Sequence, residues 1–153
     1  MERENLHNSF RNIIDEAKLV FPGTQTLFGF QLVVVFSEYF QKNLTETDKL
    51  IHLFAIFLTI VAFAMILMVA AYHRHIHYSL ITKDLVLLAN KLLKLGMIPL
   101  ALAVSAEFYL LSYTILQNRV TALFAGIICL GTLWFMWFFL PKRRLQETLS
   151  KNP

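Results

Sequence analysis

Apolar residues fall into four long runs along the chain, separated by short polar and charged segments. The runs cover about 22–40, 50–72, 97–116 and 120–140. Within the second run, the 19 residues from Leu53 to Ala71 include no charged side chain. A helix needs about 20 apolar residues to cross about 30 Å of hydrocarbon. The pattern therefore predicts four membrane-spanning helices.

The first of these runs is the least apolar. Polar side chains occupy six of its positions: Thr24, Gln25, Thr26, Gln31, Ser37 and Glu38. The stretch 23–37 is nevertheless uncharged, which favours a span. The dipeptide Pro22-Gly23 punctuates the chain and predicts that a preceding helix ends there.

Two further segments combine several charges with apolar residues at helical spacing, which is typical of helices that lie along a membrane surface. In residues 2–20 the apolar positions are Leu6, Phe10, Ile13, Ile14 and Ala17. In residues 83–95 they are Leu85, Leu88, Leu92 and Leu95. Gly96 and Pro99 predict the end of the second segment and the start of the third span. A continuous helix kinked at Pro99 is the alternative.

The predicted fold class is all-α: an integral membrane four-helix bundle with amphipathic N-terminal and central interfacial helices. We expect a single membrane domain over residues 1–153. The third and fourth spans are separated by Gln117, Asn118 and Arg119 alone, which predicts a tight antiparallel hairpin. Ahead of the second span, Thr45 followed by Asp48 resembles a capping box.

Composition and charge agree with a membrane protein and give it an orientation. Hydrophobic residues make up 57% of the chain and charged residues 16%, against about 25% charged in soluble domains. The net charge of +4 arises from basic residues that flank the apolar runs, so nucleic acid is not an expected partner. Eleven Lys and Arg residues lie on the side of the two termini and three on the other, which predicts cytoplasmic termini.

Two short stretches resemble a known family. They are PGTQTLFGFQ at residues 22–31 and AYHR at residues 71–74. Together with four spans, they resemble a bacterial family of small membrane proteins known only as a domain of unknown function. The resemblance implies a four-helix bundle in a bacterial cytoplasmic membrane and carries over no activity. The histidines after Arg74 depart from the family pattern.

Polar residues within the first span are the first candidate site. Thr24, Gln31, Glu38 and Lys42 would share one face of a continuous helix, and we group Gln25 with them as a buried polar residue. Such a face must contact protein or water, because hydrocarbon leaves polar groups without partners. Two interpretations follow, namely hydrogen bonds between helices and the lining of a polar cavity or ion path.

Glu107 is the second candidate, because it lies near the middle of the third span. A carboxylate there costs a few kcal/mol on insertion scales, about 2.5–3.5 kcal/mol for Asp at a helix centre, so it should be paired or protonated. Gln31 is the expected partner by depth. Glu107 is then either a structural hydrogen-bonding residue or a proton or cation site.

Histidines follow the second span at alternate positions, His73, His75 and His77, with Arg74 among them. His73 and His77 share a helix face, but the sequence offers no nearby Cys or carboxylate to complete a metal site. We therefore expect an interfacial cluster that adds positive charge near anionic lipid, and no bound metal.

No phosphate-binding loop, dinucleotide fingerprint, nucleophile elbow or zinc-protease motif occurs in the sequence, so neither enzymatic activity nor a cofactor is expected. Two functional hypotheses remain. One is a non-enzymatic membrane module that works through partners or lipids, with a second copy or another membrane protein as partner. The other is a small ion, proton or solute transport unit that uses Glu107 and the polar face around Gln31.

Overall fold

The computed structural model describes residues 2–75 and 82–141, and this part of the chain is helical without strands. Five α-helices follow one another, the last continuing into a π-helical segment. They are α1 (Glu2–Val35), α2 (Glu38–Asn43), α3 (Glu46–His75), α4 (Lys83–Leu116), α5 (Arg119–Trp134) and the π-helical segment Phe135–Phe139. The predicted all-α membrane fold is confirmed.

Four segments of these helices are long and apolar enough to cross a membrane. They are Asn8–Val35, Glu46–Val69, Lys83–Leu116 and Arg119–Phe139. Their lengths are 28, 24, 34 and 21 residues, and each therefore reaches the roughly 20 residues that a span needs. Length and composition together support a membrane protein.

α1 passes through Pro22 without interruption, so the helix end predicted at Pro22-Gly23 is wrong. Proline removes one backbone hydrogen bond, and membrane helices tolerate this loss. The amphipathic pattern of residues 2–20 is retained, but the segment is the first half of α1. Phe10, Ala17, Thr24 and Gln31 recur every seven residues and are all buried, so one face continues past the proline. We call these four residues the α1 buried face.

α4 likewise passes through Pro99, which confirms the continuous-helix alternative. Gly96 lies inside this helix and not at its end, so its predicted role as a C-terminal residue is wrong. A Cβ atom at Gly96 would lie 3.3 Å from Met65 Cβ and 3.5 Å from the Ala62 carbonyl oxygen. The glycine therefore permits a close approach between α4 and α3.

The first apolar run ends as a helix at Val35, five residues before its predicted limit. Ser37 then begins α2, where its Oγ accepts a hydrogen bond from the Phe40 backbone N–H at 3.2 Å. The Gln41 side chain donates back to the Val35 carbonyl oxygen at 2.9 Å. These local bonds satisfy backbone groups at the break and separate α2 from α1.

The predicted capping box at the start of α3 is confirmed. Asp48 Oδ2 accepts hydrogen bonds from the Thr45 backbone N–H at 3.2 Å and from Thr45 Oγ1 at 2.6 Å. Asp48 is fully buried, with no exposed surface. The carboxylate thereby fixes the first turn of the second span.

Contacts divide the chain into two compact units, 1–100 and 101–153. The core of the first unit joins three helices through buried apolar residues: Phe10, Ile13 and Ala17 from α1, Ile66 and Val69 from α3, and Leu85, Ala89 and Leu93 from α4. The Phe21 and Phe63 rings, 4.9 Å apart, extend this contact along α1 and α3.

In the second unit, the end of α4 packs against α5 at a glycine. A Cβ atom at Gly126 would lie 3.1 Å from Tyr109 Cβ and 3.3 Å from the Ser105 carbonyl oxygen. The connection between the helices is shorter than predicted, because Arg119 already belongs to α5. Gln117 has a left-handed φ of 51°, and Asn118 Oδ1 caps α5 by accepting from Val120 N at 2.9 Å.

Candidate functional site

Buried polar side chains lie on α1 and α3, which pack against each other. The α1 buried face contributes Thr24 and Gln31, which are 2% and 3% exposed. α3 contributes Asp48, His52 and Thr59, which are 0–2% exposed. These five residues form the candidate site, which we call the α1–α3 polar contact.

His52 joins the two helices within this contact. Its Nε2 atom lies 3.0 Å from the backbone carbonyl oxygen of Gln31, 21 residues earlier in the chain. A carbonyl oxygen can only accept, so Nε2 carries the hydrogen of this bond. The edge of the Phe40 ring packs against the imidazole, with ring centroids 5.0 Å apart at 62°. The His52 ring therefore contacts a backbone oxygen of α1 and the aromatic ring of Phe40.

The hydroxyl groups of the site bond to the backbone of their own helices. Thr24 Oγ1 donates to the Val20 carbonyl oxygen at 3.1 Å, and Thr59 Oγ1 donates to Ala55 at 3.0 Å. A buried hydroxyl that is satisfied in this way presents no free donor to a passing solute. Two buried oxygens, Gln31 Oε1 and Asp48 Oδ1, accept no hydrogen bond from the described residues, although both residues make other interactions.

The predicted face of Thr24, Gln31, Glu38 and Lys42 is only half present. Thr24 and Gln31 share the α1 buried face, but Glu38 and Lys42 belong to α2, because α1 ends at Val35. Glu38 and Lys42 are exposed and form an ion pair with each other at 2.5 Å. The prediction that all four residues lie on one helix face is therefore wrong.

Gln25 is exposed, so its prediction as a buried polar residue is wrong. Its neighbour Thr24 is buried, and one residue further along a helix turns the side chain by about 100°. Gln25 therefore lies outside the α1–α3 polar contact.

Glu107 lies in the part of α4 that belongs to the second unit, and it is half-buried. In the same part of α4, the Ser105 hydroxyl bonds to its own helix, donating to the Ala101 carbonyl oxygen at 2.7 Å. The pairing of Glu107 with Gln31 stays a prediction.

The predicted interfacial cluster lies at the limit of the described chain. His73, Arg74 and His75 are the last three residues of α3. Their side chains, and His77 altogether, lie outside the described residues. Within ranges 2–75 and 82–141, no group of three or more His, Cys, Asp and Glu residues could hold a metal ion.

Two cavities of the described chain have mainly apolar linings. The larger, of about 530 Å³, lies along α3 between Leu50 and Ile60. The other, of about 270 Å³, lies between α1 and α3 and is lined by seven residues: Ile14, Ala17, Lys18, Phe21, Ile66, Leu67 and Val69. Such linings suit hydrocarbon better than a polar solute.

Sequence reasoning did not include Asp48, His52 and Thr59 among the candidate site residues. The signal was a heptad spacing in α3, where Asp48, Ala55, Ala62 and Val69 recur every seven residues and are buried. His52 and Thr59 repeat at the same interval beside them. A seven-residue repeat of buried positions is typical of two helices packed side by side.

Comparison with known proteins gives a family and no further relative. No curated protein and no solved structure matches the chain. The match to one family extends over residues 1–141, which includes all the helices described above. The chain therefore belongs to a family of unknown function (DUF6328).

Proposed function

We propose that the protein is a non-enzymatic, multi-pass membrane module that works through protein partners or lipids. The observation that carries this proposal is the α1–α3 polar contact. Its hydroxyl groups bond to helix backbones, and His52 bonds across to the Gln31 carbonyl oxygen. The hydroxyl bonds satisfy polar groups within each helix, whereas the His52 bond crosses between α1 and α3, and such interhelical hydrogen bonds hold helices together in membrane proteins.

The two apolar cavities support the same proposal. Both are lined mainly by side chains that match the acyl chains of lipid. The lipid bilayer is therefore the first partner, and a second copy or another membrane protein is the second.

The proposed location is the bacterial cytoplasmic membrane, with both termini in the cytoplasm. Eleven basic residues on the side of the termini against three on the other support this orientation. The resemblance of residues 22–31 and 71–74 to a bacterial family supports the location.

The competing function is a small transport unit for protons, ions or another solute, using Glu107 and Gln31. A half-buried carboxyl inside an apolar helix favours this second candidate. It requires a continuous polar path, whereas the cavities described above have apolar linings.

Flux measurements in liposomes separate the two functions. Purified protein is reconstituted with a pH-sensitive dye inside, and a potassium gradient with valinomycin drives protons inward. If the protein is a non-enzymatic membrane module, liposomes with the wild type or with Glu107→Gln should show the same proton leak as protein-free liposomes. Proton flux in the wild type that Glu107→Gln abolishes, in a variant that remains folded by circular dichroism, would contradict the module and establish the transport unit.

A further inference from the structure

We propose that the protein associates with a second copy of itself through the exposed side of α1 around Gln25. The surface consists of Pro22, Gln25, Gly29 and Leu32, which we call the Gln25 face. The proposal deepens the proposed function by naming one protein partner, and it rests on α1 crossing the membrane.

The Gln25 face is a continuous strip of one helix. Its residues follow one another at spacings of three, four and three, which places them on one side of α1. All four are exposed, and they lie away from the α1 buried face that packs against α3. The strip is therefore available to a partner.

Gln25 lies well inside the apolar part of α1. The uncharged stretch begins after Lys18, and the helix ends at Val35. Gln25 is about 10 Å beyond Lys18 and about 15 Å before Val35, at 1.5 Å per residue. Its amide group makes no hydrogen bond with residues 2–75 or 82–141. In hydrocarbon, a polar group without a partner is costly, so the amide favours association.

The chemistry of the amide favours an identical partner. Each Gln25 side chain offers one acceptor oxygen and two N–H donors. Two copies of α1 that lie side by side in the same direction bring their Gln25 residues to the same depth. Each amide can then donate to the oxygen of the other, as a two-fold axis requires. A reciprocal pair of bonds satisfies the oxygen and one N–H donor of each amide.

The neighbours of Gln25 permit a close approach of the second helix. A Cβ atom added at Gly29, one turn further along, would meet nothing within 4 Å. Small residues at a helix surface let two backbones approach in membranes. The nearest charge on the same side, Lys18, is paired with Asp15 at 2.9 Å. Two copies therefore do not bring unpaired ammonium groups together at this point.

The first span is also the least apolar of the four and is little buried, which favours a partner in the membrane. Its most apolar window has a mean hydropathy of 1.2, the lowest of the four spans, and only 11% of that window is buried. The fourth span is buried to the same extent but has a mean hydropathy of 2.0. α1 therefore exposes the more polar surface to lipid.

Cysteine cross-linking in liposomes tests the proposal directly. Cys129 is the one cysteine of the chain, so a Cys129→Ala background leaves each further variant with a single thiol. Any disulfide then joins two copies. Leu32→Cys, which lies on the Gln25 face and keeps Gln25, is compared with Phe30→Cys, which is 67% exposed on another side of α1 and two residues away in the chain. We expect rapid disulfide formation with Leu32→Cys and little with Phe30→Cys under a mild oxidant.

The dissociation constant of the dimer, measured by energy transfer between labelled copies in liposomes, provides the second arm. Gln25→Leu removes two membrane hydrogen bonds of about 0.6 kcal/mol each. Since 1.4 kcal/mol corresponds to a tenfold change in an equilibrium constant, the dissociation constant should rise about sevenfold. Gln25→Asn keeps the amide and should change it less. Gly29→Leu should raise it by preventing close approach, and Phe30→Leu should leave it unchanged.

Several results would overturn the proposal. They are equal cross-linking of the two cysteine variants, a monomer at every protein-to-lipid ratio, and an unchanged dimer in Gln25→Leu. A photo-cross-linker at position 25 that captures a different protein in cells, while the purified chain stays monomeric, would assign the face to that protein. Proton flux is a separate readout, so failure of the proposed function would be recognised independently.

Discussion

His52 Nε2 donates a hydrogen bond to the backbone carbonyl oxygen of Gln31 at 3.0 Å, and this bond connects the last turns of α1 with the first turns of α3. It links two segments that α2 separates in the sequence. Since His52 and Gln31 are both nearly fully buried, water does not compete for the bond. The contact predicts how the first two spans respond to substitution.

His52→Leu should lower the free energy of unfolding by about 0.6–1.5 kcal/mol, the range measured for single hydrogen bonds in membranes and in soluble proteins. His52→Gln keeps a donor of similar reach and should lose less. Unfolding in mixed micelles with increasing SDS, followed by circular dichroism, gives both values. A leucine variant as stable as the wild type would show that the bond contributes nothing.

Two glycines of α5 form a matched pair. Gly126→Ala should destabilise the protein, because the new methyl group would lie 3.1 Å from Tyr109 Cβ and 3.3 Å from a backbone oxygen. Gly131→Ala should stabilise it by up to about 1 kcal/mol, since nothing lies within 4 Å and alanine favours a helix. Thermal unfolding in detergent compares the two variants. The same sign of change at both positions would contradict the close helix contact at Gly126.

Gln117 has a left-handed backbone between α4 and α5, with a φ of 51°. That conformation costs a residue with a Cβ about 1–2 kcal/mol, and a β-branched residue suffers most. Gln117→Gly should therefore be at least as stable as the wild type, even though it loses the side-chain bond to the Thr114 carbonyl oxygen. Gln117→Val should be less stable by about 1 kcal/mol. The midpoint of thermal unfolding distinguishes them, and the reverse order would exclude the strained turn.

The orientation in the membrane is tested by reporter fusions after residues 45, 80, 118 and 153. Paired reporters, one active only outside the cytoplasm and one only inside, should give outside, inside, outside and inside in that order. The excess of basic residues on the side of the termini is the physical reason. A cytoplasmic signal from the fusion after residue 118 would contradict the predicted order of four spans, in which the connection between the third and fourth spans lies outside.

The helices were predictable because apolar length and charge determine which segments can enter a bilayer. The second span and the cap formed by Thr45 and Asp48 follow from local residue types, and the structure has both. For α1 the expectation from Pro22 is wrong, because the loss of one hydrogen bond does not end a helix whose buried face continues. The seven-residue repeat through Phe10, Ala17 and Thr24 contained that information.

The candidate site was less predictable than the fold. Thr24 and Gln31 were identified correctly as polar residues that face protein, because they share a helix face inside an apolar run. His52 was not singled out as a site residue, since its partner is a backbone oxygen, which every residue carries. Gln25 is exposed and not buried as predicted, because the sequence of one helix does not specify the rotation of that helix against its neighbours. Pairing across helices depends on that rotation.

The continuity of α1 through Pro22 has a mechanical consequence. A helix of 34 residues is about 51 Å long at 1.5 Å per residue, whereas the hydrocarbon layer is about 30 Å thick. A single hydrocarbon layer therefore does not cover the full length of α1, and Phe10 and Ile13 pack its first half against α3 and α4. A force applied to that half of α1 is expected to be transmitted to α3 and α4 through these contacts.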